Sequence, residues 1–382
     1  MNPAFQAICE AAALEWEVPA LGAGIAVGGR EQTAFVGCAP DDVFRVASIT
    51  KPVTALLALG LLDPEAPTGV WPADVRVRHL LSHTSGYDGE LVERDLSRFG
   101  TGDDALGAAV AALPGVKRFL GVEQVWSYAN TGFWLAGHLS AEAAGTTYEA
   151  AVEERVLRPA GLEATSFGEP TLAGTGSDAG SGPYPRARRP SGGLASTVGD
   201  LLRLGRFFLA QREAARMRIV HGKPNGGVYG LGLFGERVAG REVWGHSGAY
   251  DGFRSSLLFV PDLDAVFAGV TNSSVGNKAL NLVEDAFFEQ VLGERRRVPE
   301  RVDLPADVLE SFAGSYANSD GWYEVASGVE GLVVTYDDGE FAAEPIGDRT
   351  FRIVVGERVD DRFDFPLEGF GRFGVRLAER VA

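Results

Sequence analysis

The sequence predicts an α/β domain over residues 1–294, a linker over 295–305 and a small antiparallel β domain over 306–382. Three observations lead to this division. Strand-like and helix-like apolar patterns alternate in the first part, a charged, proline-bearing segment interrupts the chain near Pro299, and short runs separated by Gly and Asp fill the rest. A chain of 382 residues is long enough for two domains that each bury a core.

The first domain is predicted to begin with a helix and a hairpin. Met1–Glu17 has an amphipathic helical pattern, and Gly24–Val27 and Thr33–Val36 are short apolar runs on either side of a turn at Gly28-Gly29. Ala and Leu then continue without a break from Val53 to Leu62, which predicts a helix that is buried on most of its surface.

Strands are predicted again after a region of helices and loops. In this domain they are Gly227–Phe234, Phe253–Val260 and Ala265–Thr271. Lys278–Leu292 has the amphipathic pattern of a helix that closes the domain. In the last domain, Leu332–Tyr336 and Phe351–Val355 are the strand candidates.

Composition excludes several classes of function. Lysine and arginine number 35 against 52 acidic residues, so the net charge of −17 repels phosphate backbones and anionic lipid surfaces, and neither nucleic acid nor a membrane is an expected partner. Two cysteines cannot build a disulfide framework, and no metal-ligand cluster is evident. The N-terminus lacks a basic segment followed by an apolar core, so a cytoplasmic location is predicted.

The first candidate for chemistry is the pair Ser48-x-x-Lys51. A helix that starts near Ser48 places both side chains on one face. A serine hydroxyl needs a group that takes its proton, and a buried lysine with a lowered pKa can do so, whereas arginine stays protonated. About one chain in five of this composition contains such a pair by chance, so the pair alone favours a helix-capping serine beside a solvated lysine.

The second and third candidates are equally short motifs. Tyr128-Ala129-Asn130 places a phenol and an amide close enough to reach one cavity, but Tyr-x-Asn also occurs at Tyr316. The stretch from His246 to Ala249 lies between strand-like runs. It approaches the Gly-x-Ser-x-Gly elbow of α/β hydrolases, but that fold takes its histidine from downstream of the serine, and no histidine follows Ser247.

In this order and spacing, Ser48-x-x-Lys51, Tyr128-x-Asn130 and His246-x-Gly248 resemble the motifs of the penicillin-recognising serine hydrolases. This family includes class C β-lactamases, D-alanyl-D-alanine carboxypeptidases, D-aminopeptidases and esterases on the same scaffold. The resemblance covers about residues 15–292. It implies a β-lactamase/transpeptidase-like fold, with an antiparallel sheet flanked by helices and an all-helical region. The last domain resembles the small lipocalin-like β-barrel of some family peptidases.

The resemblance implies a role for each motif residue. Ser48 would be the acylated nucleophile and Lys51 its proton partner, while Tyr128 would share the base role and pass a proton to the leaving group. Asn130 would hold Lys51 and the amide of the substrate. The third motif would bind substrate, with His246 counted among the catalytic residues and Ser247 and Gly248 beside it. The backbone N–H groups of Ser48 and Ala249 would form the oxyanion hole.

One motif departs from the β-lactamase pattern. Class C enzymes have Lys-Thr-Gly where this chain has His246-Ser247-Gly248. Lysine supplies a full positive charge for the carboxylate of a lactam, whereas a histidine with a pKa of about 6.5 is only partly charged at neutral pH. His-x-Gly resembles the D,D-peptidase and D-aminopeptidase branch instead.

The predicted function is therefore a serine hydrolase that uses no cofactor and no metal and forms an acyl-enzyme on Ser48. Its predicted substrates are small peptides that contain D-residues. Three alternatives stay open: a carboxylesterase, a class C-like β-lactamase and a penicillin-binding sensor that deacylates slowly. The partner in each case is a small peptide, ester or β-lactam.

Overall fold

The computed structural model describes residues 3–91, 96–180, 182–336, 339–354 and 361–381. In chain order, the strands of the first domain are Leu21–Val27 (β1), Arg30–Val36 (β2), Phe44–Arg45 (β3), Ala195–Ser196 (β4), Val228–Tyr229 (β5), Phe234–Val238 (β6), Arg241–Tyr250 (β7), Phe253–Val260 (β8) and Ala265–Thr271 (β9). Seven of them form one sheet in the order β2-β1-β9-β8-β7-β6-β5, in which every neighbouring pair is antiparallel. The remaining two, β3 and β4, pair with each other.

Helices cover both faces of this sheet and form a separate helical region. The α-helices are Pro3–Glu15 (α1), Thr50–Leu61 (α2), Val77–Leu81 (α3), Ala105–Ala111 (α4), Asn130–Ala144 (α5), Tyr148–Val152 (α6), Arg189–Gly192 (α7), Val198–Ala210 (α8), Arg212–Met217 (α9), Gly276–Leu292 (α10) and Ala306–Ser311 (α11). Apolar side chains of α1 and α10 form a core on one face of the sheet, and α8 packs on the other face together with the helical region. This is the sheet-and-helix architecture that the sequence predicts.

Two glycines of β1 determine how closely α8 approaches the sheet. A Cβ atom at Gly22 would lie 2.9 Å from Val198, and one at Gly24 would lie 2.8 Å from Leu202. Both distances are too short for carbon atoms in contact, so the absent side chains let α8 pack directly on the strand.

The last domain is a closed antiparallel barrel of eight strands. These strands are Gly314–Asn318 (β10), Gly321–Ser327 (β11), Leu332–Tyr336 (β12), Gly339–Gly347 (β13), Thr350–Ile353 (β14), Arg362–Leu367 (β15), Phe370–Phe373 (β16) and Arg376–Arg380 (β17). Stacked aromatic rings fill its interior, among them the pairs Phe312–Phe365 and Tyr323–Phe373. Tyr316, from the second Tyr-x-Asn sequence, is buried there and donates a hydrogen bond to the carbonyl of Phe312.

Most predicted elements are confirmed, and three differ. The hairpin, β8, β9 and β12 lie where the apolar runs place them. The predicted strand Gly227–Phe234 is wrong, because Gly232 takes a φ of +77° and the segment turns between β5 and β6. The predicted strand Phe351–Val355 corresponds to β14, which spans Thr350–Ile353, and Val355 lies outside the described residues.

The third difference concerns the third motif, which lies within β7 rather than between strands. Along β7, His246 and Gly248 are buried while Ser247 and Ala249 are exposed. This alternation is strand-like, but Gly, His and Ser carry little strand propensity, so pairing with β8 sets the conformation.

The boundaries between the domains stay a prediction. The last helix of the sheet domain, α10, ends at Leu292, and α11 begins at Ala306 before the barrel. Within the described ranges, no helix has both the length and the apolar character needed to cross a bilayer.

Candidate active site

The candidate nucleophile lies in a strained bend at the start of α2. Ser48 is in the 3₁₀ turn Ala47–Ile49, and Ala47 has a φ of +45°, which is uncommon for a residue with a side chain. Both backbone groups of Val46 are fixed: its N–H donates to Leu194 O at 3.0 Å, and its carbonyl accepts from Ser255 Oγ at 2.8 Å. Strain held in this way by its surroundings is common at functional sites.

Lys51 lies in the first turn of α2 and is fully buried. Its Nζ donates to Ser48 Oγ at 3.0 Å and to the carbonyl of Ser191 at 2.6 Å. Burial holds the pKa of Lys51 well below its ordinary value, and the opposing charge of Glu90 does not offset this. Burial therefore favours the neutral amine, and the neutral amine is the form that can take a proton from serine.

Tyr128 contacts the same serine oxygen from another side. Its hydroxyl donates to Ser48 Oγ at 2.8 Å. Burial raises the pKa of Tyr128, and the hydrogen bond to Ser48 lowers it by less. The phenol thus keeps its proton at neutral pH. Tyr128 is therefore better suited to donate a proton than to act as the base that the motif suggests.

The third motif forms the wall opposite these side chains. β6 pairs with β7 only as far as Gly245, so the backbone edge of the next residues faces the site on that side. A Cβ atom at Gly248 would collide with the carbonyl oxygen of Val46, so glycine lets β7 pack against the bend that carries Ser48. Ser247 and Ala249 line the same cavity as Ser48.

His246 carries no positive charge at neutral pH, which corrects the partial charge expected from the sequence. Burial is the main cause that lowers its pKa to about 3. Its Nδ1 lies 2.6 Å from the carbonyl oxygen of Ser247. Because a carbonyl only accepts, Nδ1 carries the hydrogen, and the buried Nε2 has a free lone pair.

Asn130 is tied to a residue that the sequence does not single out. Its Nδ2 donates to Glu90 Oε1. In the described part of the chain, Lys51 makes its hydrogen bonds to Ser48 and Ser191, so the expected contact between Asn130 and Lys51 is not formed. The carboxylate of Glu90 takes the amide N–H instead.

Glu90 also binds two arginines. Its Oε1 accepts from Arg188 Nη2 at 3.0 Å and from Arg376 Nη2 at 2.9 Å. Burial by itself would raise the pKa of Glu90, but the charges of these arginines and the hydrogen bonds from Asn130 and Arg376 lower it below its ordinary value. Glu90 is therefore an ionised carboxylate with three donors on one oxygen.

Arg376 belongs to the barrel, which contacts the second motif directly. The N–H of Tyr128 donates to the carbonyl of Val375 at 2.9 Å, and the N–H of Leu377 donates to Ser127 Oγ at 3.0 Å. These bonds place the turn between β16 and β17 beside the nucleophile. The resulting cavity has a volume of about 470 Å³, and both motif residues and barrel residues line it.

Comparison with known proteins identifies the family. The model of the family described as Beta-lactamase matches residues 10–289. The chain belongs to the beta-lactamase family. This beta-lactamase-family chain is 28% identical over 354 residues to penicillin-binding protein 4 of Amycolatopsis lactamdurans, a match that covers 78% of this chain and 90% of that protein.

Two solved structures extend the comparison of this beta-lactamase-family chain. SurE with D-Leu matches 99% of each chain at a TM-score of 0.79 and 24% identity, so the similarity in fold includes the barrel. A D-stereospecific amidohydrolase from Streptomyces sp. has 26% identity and a TM-score of 0.60, and the match covers 74% of this chain and 98% of that one. The family and its hydrolase neighbours support a serine hydrolase.

The structure brings the predicted residues of this family member together around one cavity. The residues that line it are Ser48, Tyr128, Asn130, His246 and Ser247 to Ala249. Lys51 contacts Ser48 through its Nζ atom. Sequence reasoning missed the Glu90 cluster, which we define as Glu90, Arg188 and Arg376. No local pattern marks these lone charged residues, because only the fold brings them together.

Proposed function

We propose that this protein hydrolyses small amides next to a D-residue, through an acyl-enzyme on Ser48. The observation that carries the proposal is the position of Ser48 Oγ, which lies 3.0 Å from Lys51 Nζ and accepts a hydrogen bond from Tyr128 Oη at 2.8 Å. A nucleophile in contact with both a proton acceptor and a proton donor is the arrangement that acyl transfer requires. The similarity to a D-stereospecific amidohydrolase and to a penicillin-binding protein supports the class of substrate.

Acylation begins at the amine of Lys51. The neutral amine takes the hydroxyl proton of Ser48, and Oγ attacks the scissile carbonyl. The backbone N–H groups of Ser48 and Ala249 stabilise the oxyanion. Tyr128 protonates the leaving nitrogen as the C–N bond breaks and regains a proton from the ammonium of Lys51. The released amine thus carries the proton that Tyr128 gave up, Tyr128 is reprotonated at the expense of the serine proton held by Lys51, and the acyl group stays on Oγ.

Deacylation uses water in place of the amine. Lys51, neutral again, removes a proton from a water molecule that attacks the ester carbonyl. The bond to Ser48 Oγ breaks, and the oxygen regains a proton from the ammonium of Lys51, which lies 3.0 Å away. The products are a carboxylic acid and the free enzyme.

The uncharged His246 favours amide substrates over β-lactams. Class C-like recognition of a lactam carboxylate needs a cation at this position, and the imidazole of His246 stays neutral because of its burial. A neutral ring with a free lone pair at Nε2 suits a substrate that carries no anionic group beside the third motif.

The experiment that tests the proposed function compares four substrates with the wild-type protein. We expect hydrolysis of D-alanine p-nitroanilide and of D-alanine amide, and at least about tenfold lower kcat/KM for L-alanine p-nitroanilide. Turnover of p-nitrophenyl acetate with no turnover of either D-amide would replace the proposal with a carboxylesterase.

Tyr128→Phe is expected to separate amides from activated esters. We predict a loss of about 10²–10⁴-fold in kcat for D-alanine p-nitroanilide, because the leaving nitrogen then has no proton donor. Hydrolysis of p-nitrophenyl acetate should fall by less than about tenfold, because p-nitrophenolate leaves without a proton. Steady-state kinetics of both substrates measure this. Equal losses for the two would contradict the role of Tyr128 as donor to the leaving group.

A further inference from the structure

The Glu90 cluster borders the substrate cavity. The cavity is lined by Arg188, Arg376 and Asn130, and each of the three donates a hydrogen bond to the carboxylate of Glu90. The side chain of Glu90 is 12% exposed. Neither of the two contacts on Ser48 Oγ involves Glu90, so the steps proposed above give this largely buried carboxylate no role.

The carboxylate fixes which end of the Asn130 amide faces the substrate. An ionised carboxylate has no hydrogen to donate, so the amide atom next to Glu90 must be the nitrogen. The carbonyl oxygen Oδ1 therefore lies on the side of the amide turned away from Glu90. An asparagine without such a partner can present either end, because rotation by about 180° exchanges the two.

The barrel holds Glu90 in this position. Arg376 donates through Nη2 to Glu90 and through Nη1 to Asp320 of the barrel at 2.6 Å. Arg376 is the first residue of β17, and both sides of it are fixed: the N–H of Tyr128 donates to the carbonyl of Val375 in the preceding turn, and the N–H of Leu377 donates to Ser127 Oγ. A planar guanidinium that binds two carboxylates is held in one orientation more firmly than a guanidinium that binds only one.

We propose that Glu90, held by Arg376 of the barrel, orients Asn130 so that its Oδ1 accepts a hydrogen bond from the amino group next to the scissile carbonyl of the substrate. Glu90 and Arg376 are thus positioning residues, and the substrate class is an α-amino acyl compound. The inference rests on the proposed function for the location of the acyl group. It also assigns the barrel a part in substrate selection.

The test compares two esters that differ only in the amino group, D-phenylalanine methyl ester and methyl 3-phenylpropionate. The quantity measured is the ratio of their kcat/KM values, which we call the amine preference. We expect Glu90→Gln and Arg376→Met each to lower the amine preference at least tenfold. The kcat/KM for methyl 3-phenylpropionate should stay within about threefold of wild type.

The control is Lys117→Met, which breaks the ion pair of Lys117 with Glu379 of the barrel and leaves Glu90 untouched. It should keep the wild-type amine preference. Equal losses for both esters in Glu90→Gln would show a merely structural role and overturn the proposal. A higher amine preference in Arg376→Met would also overturn it, since Glu90 would then contact the amine itself.

Two further outcomes separate this inference from the proposed function. A wild-type protein without an amine preference, whatever its activity, overturns the inference. A wild-type protein that hydrolyses both esters but not D-phenylalanine amide overturns the proposed amide hydrolysis. The amine preference of the variants is then still measured on the esters and still decides the role of Glu90.

Discussion

Replacing Ser48 with alanine is expected to lower kcat/KM for D-alanine p-nitroanilide at least about 10³-fold. The reason is geometric, because Ser48 Oγ is the atom that both Lys51 and Tyr128 contact. No acyl-enzyme forms when this oxygen is absent. Binding groups and oxyanion donors can still leave a residual rate above that of water. Initial rates under matched protein concentrations measure the effect.

The matched control is Ser327→Ala, which removes an exposed serine of the barrel. It should retain wild-type kinetics, and both variants should unfold at nearly the wild-type temperature. A Ser48→Ala protein that is folded and keeps more than about a tenth of the activity contradicts the assignment of the nucleophile.

Lys51→Arg is expected to lower kcat/KM about 10²–10⁴-fold. Arginine keeps the positive charge but stays protonated, so it cannot take the proton of Ser48. Lys51→Met should lose as much activity. The stability of the methionine variant should also depend less on pH than that of the wild type, because it lacks the buried amine whose ionised form is disfavoured. Kinetics and thermal unfolding of the two variants measure these effects.

The pH dependence of the wild type follows from the same burial. The active form of Lys51 is the neutral amine, and burial lowers its pKa well below the ordinary value. The kcat/KM should therefore rise with pH and reach its plateau well below about 10.4, the pKa of an ordinary lysine. The unfolded chain binds more protons than the folded one in this range, so stability also rises with pH up to that value. A plateau reached only above pH 10 would contradict a lysine base.

The fold was predictable where burial sets a simple pattern. β9 is buried at every position, and its apolar run predicts the strand with the limits that the structure shows. The short runs around Gly28-Gly29 predict the first hairpin in the same way. The strand β7 was not predicted, because glycine and histidine have little strand propensity. Gly248 is instead required for the close approach to Val46, and His246 lies in the site.

The site was predictable only where its residues are close in sequence or follow a family pattern. Ser48 and Lys51 are three residues apart, and a helix start brings them together. Arg376 is 286 residues away from Glu90 and Arg188 is 98 residues away, so no motif can contain them. The neutral state of His246 is likewise a property of burial, which depends on tertiary packing.

The measurement that tests the central claim most directly is the intact mass of the protein after brief reaction with D-phenylalanine methyl ester and quenching in acid. Peptide mapping then locates any added group. We expect one D-phenylalanyl group on the peptide that carries Ser48, and none on the Ser48→Ala protein. An acyl group mapped to a different residue, or undiminished turnover by Ser48→Ala, would contradict the account.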